Sequence, residues 1–315
     1  MQGEIRKKNM TFPKPLNTIF GKIFVGLVAV YVLYVAVIGL FSTTCPAGFT
    51  PPKAEDIQDD KTRAMIMAEA TVHSLDNELH SVFGWIPNDL FFVPKILDNI
   101  VNYQKGVIYA TRPASDIIAK TVSRYGKNDT LDQRLVDATS RSFVYSDEVW
   151  GFWFIYDTEG KYKQGVQNWR SWAASVDSGV KNAGVYNVKS DDVYLILKYC
   201  NQMLEYALGY LNKENIKHYE SDNYVYFAKG VSSVVEDILR GLVAVDSSVV
   251  QRGGQENVDA ALKRLSFVRD FNPWYVVAGG NDTGDAMLPN HVAAIARHID
   301  VASNRINDIM QSMEK

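Results

Sequence analysis

Residues Ile23 to Ser42, IFVGLVAVYVLYVAVIGLFS, run for 20 positions without a charge, and after Lys22 no charged residue appears until Lys53. A helix of about 20 apolar residues, rising about 1.5 Å per residue, matches the roughly 30 Å hydrocarbon core of a bilayer. In lipid each backbone polar group must be satisfied within the segment, so such a run crosses as a helix. A cleaved signal peptide has a shorter apolar region, of about 7–15 residues. Nothing after this run reads as a cleavage site, and Ser42-Thr43-Thr44 lacks the aliphatic and small residues that lipid attachment at Cys45 would need. The expectation is an uncleaved anchor that contacts the lipid bilayer through residues 23–43.

The flanks predict its orientation. Residues 1–22 carry Arg6, Lys7, Lys8, Lys14 and Lys22 against Glu4 alone, and short Lys/Arg-rich segments stay cytoplasmic. The remainder would then lie outside, in the periplasm of a bacterium, with the anchor in the inner membrane. Five of the chain's 33 Lys and Arg and one of its 36 Asp and Glu lie in residues 1–22, which leaves 28 against 35 and a net of −7 for the rest. An acidic domain argues against nucleic acid, which needs a basic footprint.

A Pro-bearing stretch at 44–61, with Pro46, Pro51 and Pro52, reads as a semi-rigid linker. Residues 62–315 read as one helical periplasmic domain. Four stripes of apolar residues recur at steps of three and four: Met65, Ala68, Val72, Leu75, Leu79 and Val82; Val193, Leu197, Cys200, Leu204, Ala207 and Leu211; Val231, Val235, Ile238, Leu242, Val245 and Val249; and Val292, Ile295, Ile299, Ala302, Ile306, Ile309 and Met313. Such stripes predict helices packed along their lengths. Further helices are expected over 97–123, interrupted at Pro113, and near 129–143, 159–176 and 255–270. Turns fall at Gly84 to Asn88, at Gly253-Gly254 and between Gly279 and Asn290. Trp150 to Tyr156 and Trp274 to Ala278 are candidate short β pieces. The fold class expected is all-α, one transmembrane helix plus an extracytoplasmic bundle.

The residues assemble no catalytic motif. His73 and His80, like His291 and His298, lie two helical turns apart, too far for one metal ion. Glu69 with His73 has ligand spacing but lacks a third partner. The Gly279 to Asp285 loop has neither phosphate-loop nor calcium-loop form. No Gly-x-Ser-x-Gly elbow occurs, and Cys45 and Cys200 lack a Cys-x-x-Cys setting. The acidic pairs Asp191-Asp192 and Glu236-Asp237 are adjacent on helices and point in different directions, so each reads as an N-cap or a solvated face. The expectation is no cofactor, no metal and no catalytic set.

Two features rise above this background. Trp150, Phe152, Trp153, Phe154, Trp169 and Trp172 form an aromatic concentration suited either to a partner surface or to the core between helices. The segment Gly84 to Asn102 mixes prolines, amides and acids with apolar residues, as in a buried corner whose side chains cap freed backbone groups.

The run Gly84-Trp85-Ile86-Pro87-Asn88-Asp89-Leu90, continued at Leu97-Asp98-Asn99 and Gln104-Lys105-Gly106-Val107, resembles a proteobacterial family of single-pass inner-membrane proteins classed only as a domain of unknown function. Asn290-His291-Val292-Ala293-Ala294-Ile295-Ala296-Arg297, running on to Asn304-Arg305-Ile306-Asn307-Asp308, resembles that family's closing helix. The resemblance implies the topology and marks Trp85, Pro87, Asn88, Asp89, Asn290 and His291 as a candidate motif site. It implies no activity. The function expected is a non-enzymatic scaffold or accessory subunit of an envelope complex, with a protein partner or self-association through the outer domain. The alternatives are a periplasmic enzyme acting on envelope material and a module binding lipid or another apolar ligand.

Overall fold

The computed structural model describes residues 18–41, 45–88, 98–123, 131–151, 157–179, 183–213, 216–273, 275–279 and 289–314. They form ten α-helices and no strand: α1 (Ile19–Phe41), α2 (Asp60–Leu79), α3 (Asp98–Val122), α4 (Gln133–Asp137), α5 (Thr158–Ser175), α6 (Ser190–Leu211), α7 (Ser221–Val245), α8 (Ser248–Gly253), α9 (Gln255–Asp270) and α10 (His291–Met313). A five-residue π-helical turn, Ala138–Ser142, continues α4. The all-α expectation holds. Of the candidate β pieces, 275–278 is not a strand, and 152–156 and 274 lie outside the described residues.

The chain divides into two compact units, Met1–Ser42 and Thr43–Lys315. In the first, α1 is the one helix among the described residues long and apolar enough to cross a membrane; no part of its Ile19–Val37 stretch is buried.

In the second unit α7 is the axis. From Val225 to Leu239 every residue is buried, so this helix has no solvent face over four turns. Helices α2, α3, α6, α9 and α10 surround it, while α5 packs on α2 and on the π turn. The stripes of α6, α7 and α10 fall on buried faces, as their spacing predicts. On α2 the buried face is Ala64, Met67, Ala68, Val72, Leu75 and Leu79, whereas Met65 and Val82 are exposed. Met65 shares the angular sector of Val72 but lies near the start of α2, and Val82 lies beyond its end at Leu79. The α7 stripe likewise stops at Val245, and Val249 is buried from the separate helix α8.

Helix α3 passes through Pro113 without ending. Proline removes one intrahelical hydrogen bond; here the residues before and after it, from Ile108 to Ala119, are mostly buried, so tertiary packing holds the helix where local propensity would break it. Helix starts follow capping chemistry. Asp59, Asp157 and Asn290 accept from the backbone N–H groups of Thr62, Gly160 and Ala293. Asp192 reaches back to Lys189 N at 2.9 Å, so that acidic residue is a cap, as read from sequence.

The α3–α7 crossing depends on two glycines. A β-carbon at Gly106 would lie 2.2 Å from the Phe227 carbonyl oxygen, and one at Gly230 would lie 2.2 Å from that of Tyr103. Both obstacles are backbone, so neither can rotate away. We expect Gly106→Ala and Gly230→Ala each to cost at least about 2 kcal/mol, in the range of overpacked cores. Gly209→Ala, with open space around its position, should be neutral or stabilise by up to about 1 kcal/mol. Thermal unfolding of the detergent-solubilised chain followed by circular dichroism checks all three.

Candidate functional site

Four charged residues meet in the interior where α7 faces α9. Asp237 and Glu236 of α7 are fully buried, and Arg269 of α9 is 3% exposed. Arg269 places Nη2 2.5 Å from Asp237 Oδ1 and Nη1 3.3 Å from Glu236 Oε2, and it donates to the Ser233 carbonyl at 2.7 Å. Glu236 Oε1 also accepts from Arg240 and from Ser266 Oγ. Burial opposes the charge on Arg269, but Asp237 and Glu236 more than offset it and raise its pKa. Two cations and two anions balance, the condition under which buried charge is tolerated. The expectation that Glu236-Asp237 is a cap or a solvated face is therefore wrong. Adjacent carboxylates do diverge on a helix, but the fork of one guanidinium is wide enough to reach both.

The chain just before α2 closes over this group. Phe49 N donates to Asp237 Oδ1 at 2.9 Å, and Ser74 Oγ donates to Oδ2 at 2.5 Å. Gly48 crosses the guanidinium so closely that a β-carbon there would lie 1.5 Å from Arg269 Nη1. The Ala47 carbonyl lies 3.0 Å from His73 Nε2, and the Phe49 and His73 rings meet edge to face at 5.7 Å. Cys45 Sγ lies 3.0 Å from Nζ of Lys229, a fully buried lysine that also donates to the Phe271 carbonyl. Residues Cys45–Phe49, expected within a spacer, thus form a strap packed on α2, α7 and the end of α9. Glu69 is held by the Arg170 fork at 2.6 and 2.9 Å, so its role is an ion pair between α2 and α5.

The Gly84 to Asn88 run forms a buried corner. Gly84 takes a positive φ of 62°, which favours glycine. Trp85 donates Nε1–H to the Asp147 carbonyl at 2.8 Å and packs edge to face on Tyr162. Asn88 Nδ2 donates to the Val149 carbonyl at 3.2 Å, and Pro87 is buried beside it. Gln104 of α3 holds the corner from below: its Oε1 accepts from Ile86 N, and its Nε2 donates to the Gly84 carbonyl and to Glu78 Oε2. Burial pushes the Glu78 carboxyl up to about 7, partly countered by the Gln104 hydrogen bond and by Lys229. Asp89 lies outside the described residues.

Asn290 and His291 fasten the start of α10. Asn290 caps Ala293 N and donates to the Gly279 carbonyl at 3.1 Å. His291 and Val277 exchange two bonds: His291 N donates to the Val277 carbonyl, and Val277 N donates to His291 Nδ1 at 3.0 Å. Next to them a cleft of about 250 Å³ opens between the end of α6 and the start of α10, lined by Leu211, Lys213, Ile216, Ala278 and Val292.

The aromatic concentration does not form one surface. Trp169 and Trp172 are fully buried, stacked edge to face at 5.7 Å, and Trp169 donates to Ser115 Oγ across the α5–α3 contact. Their spacing of three puts both on the face that α5 turns to the core. Trp150 is 44% exposed; Phe152, Trp153 and Phe154 lie outside the described residues. Sequence reasoning missed Glu78, Gln104, Lys229 and Arg269. A signal existed for Lys229: a lone cation in the apolar stretch Tyr224 to Val235.

A family model described as an uncharacterized protein conserved in bacteria (DUF2333) matches residues 17–215. The chain belongs to that family. The DUF2333 match spans the Gly84 to Asn88 corner and the tryptophans of α5, and it stops short of the Asn290 to Asp308 block. No curated protein and no solved structure matches the chain.

The geometry gives two expected outcomes. Arg269→Met or Asp237→Asn leaves buried charge unbalanced and should cost about 3–5 kcal/mol, read as a lowered denaturation midpoint. Glu78 binds its proton more tightly in the folded chain than a carboxyl at its ordinary value of 4.5, because burial disfavours its charge. Its contribution is therefore fully present below about 4.5 and is lost as pH rises through about 7. Glu78→Gln should flatten that slope and, at pH 8, exceed the parent chain by on the order of 3 kcal/mol. Unfolding midpoints measured from pH 5 to pH 8 check this.

Proposed function

We propose that this DUF2333 member is a single-pass inner-membrane protein whose helix α1 is an uncleaved anchor, with a cytoplasmic N-terminus and a periplasmic helical bundle. Its role is that of a non-enzymatic scaffold or accessory subunit of an envelope complex. The basic flank of residues 1–22 and the acidic remainder support the orientation.

One observation carries the role. Trp85 Nε1, Asn88 Nδ2, Asn290 Nδ2 and His291 Nδ1 are each engaged with the chain's own backbone, at Asp147, Val149, Gly279 and Val277. Residues used this way rigidify corners and caps. A general base or a substrate-orienting amide instead keeps an atom within reach of a substrate.

A second reading rests on the cleft beside α10, whose apolar members Leu211, Ile216, Ala278 and Val292 could receive an apolar chain.

Extraction in mild detergent and native mass measurement test the scaffold role. A defined oligomer or a stoichiometric companion is expected, and a clean monomer without companions would sink it. Stoichiometric lipid released by organic extraction would favour the second reading.

A further inference from the structure

Cys45 and Lys229 lie on opposite sides of the strap contact, one before α2 in the chain and the other on the central helix. We propose that they form an oxidation-triggered covalent lock, in which a hydroperoxide converts the Cys45 thiol to a sulfenic acid and the Lys229 amine then closes on that sulfur as a sulfenamide.

The geometry is already close to that product. Lys229 Nζ is 3.0 Å from Cys45 Sγ and is fixed from behind by the Phe271 carbonyl at 2.6 Å. The Tyr103 and Tyr226 rings lie 5.9 and 5.6 Å from the same nitrogen and wall it in. The two partners differ in access: Cys45 is half-buried, so a small peroxide can reach its sulfur, while Lys229 is fully buried and is shielded from competing reagents. The other thiol is no rival. Cys200 is buried within α6, and burial pushes it up to about 12, so it supplies little thiolate for a disulfide.

The chemistry balances in two steps. The Cys45 sulfur attacks one peroxide oxygen; an S–O bond forms, the O–O bond breaks, and the departing oxygen takes up the thiol proton, leaving as water from hydrogen peroxide or as an alcohol from an organic hydroperoxide. Sulfur is oxidised and the peroxide is reduced. The Lys229 nitrogen lone pair then attacks the sulfur. An N–S bond forms as the S–O bond breaks, and the departing hydroxyl takes an amine proton away as water. Condensation of a sulfenic acid with a nitrogen nucleophile is an established branch of cysteine oxidation. The second step needs the free amine, and burial lowers the Lys229 pKa, against smaller opposing contributions from Cys45, Asp270 and Glu78. Attack of an added thiol on the sulfur frees the Lys229 amine and leaves a mixed disulfide at Cys45, and a second thiol reduces that disulfide, so both side chains are restored.

Peptide mapping of the full chain in detergent, treated with a small excess of hydrogen peroxide, tests the lock. Trypsin should no longer cut after Lys229, and the peptide spanning residues 218–240 should appear joined to that spanning 23–53. Its mass should be about 2 Da below the sum of the two, since the link removes two hydrogens. Dithiothreitol should separate them. Cys45→Ser, which keeps a hydrogen-bonding atom near Lys229, should abolish the product. The idea fails if Cys45 accumulates as a dimedone-reactive sulfenic acid, a sulfinic acid or an intermolecular disulfide while cleavage after Lys229 persists. It fails equally if the link forms as readily in urea, because the folded geometry would then have no part in it.

Discussion

A helix surrounded on every side must place its polar atoms where neighbours can meet them, and α7 imposes that condition on the rest of the bundle. Its burial from Val225 to Leu239 includes Lys229, Glu236 and Asp237. An isolated charge in such a place would cost several kcal/mol. Each charge therefore recruits partners: Arg269 and Ser74 for Asp237, Arg240 and Ser266 for Glu236, the Phe271 carbonyl and Cys45 for Lys229. Apart from Arg240, which is on α7 itself, these partners lie on α2, on α9 or just after it, and on the strap. The charges of α7 thus set the register in which the surrounding elements dock, while Gly106 and Gly230 set how near α3 can come.

The strap follows from the same need. Asp237 has more acceptor capacity than Arg269 and Ser74 fill, and Phe49 N–H takes the remaining direction. Phe49 also packs with Ile66 and Ala70 in a small apolar cluster beside the main core. A backbone hydrogen bond to a buried carboxylate, joined to apolar burial, converts a Pro-bearing stretch into part of the domain.

The motif residues act one layer further out. Gln104 joins Glu78 to the Gly84 turn, and that turn presents Trp85 and Asn88 to the backbone of 147–149. A continuous chain of bonds therefore runs from the interior of α2 and α3 to the loops before α5. Asn290 and His291 do the same for the segment that enters α10. Residues with the look of a reactive site serve here as fasteners of the loops and of the start of α10.

Apolar periodicity by itself determined most of the architecture: the membrane-length run of α1, the buried stripes of α6, α7 and α10, and the glycine and capping signals at their ends. Those are local properties, because a 3.6-residue period assigns a face without knowing what lies opposite it. The composition of Gly84 to Asn102 also disclosed a capping corner. Only the tertiary structure decided the rest. Glu236 and Asp237 look solvated in sequence because their neutralising partner, Arg269, is 32 residues away from Asp237. Trp169 and Trp172 suit either a surface or the core until α3 supplies Ser115, 54 residues before Trp169. Pro113 looks like a break until packing along α3 outweighs its lost hydrogen bond. In each case the deciding energy is a contact between distant segments, and no local pattern records which segments will meet.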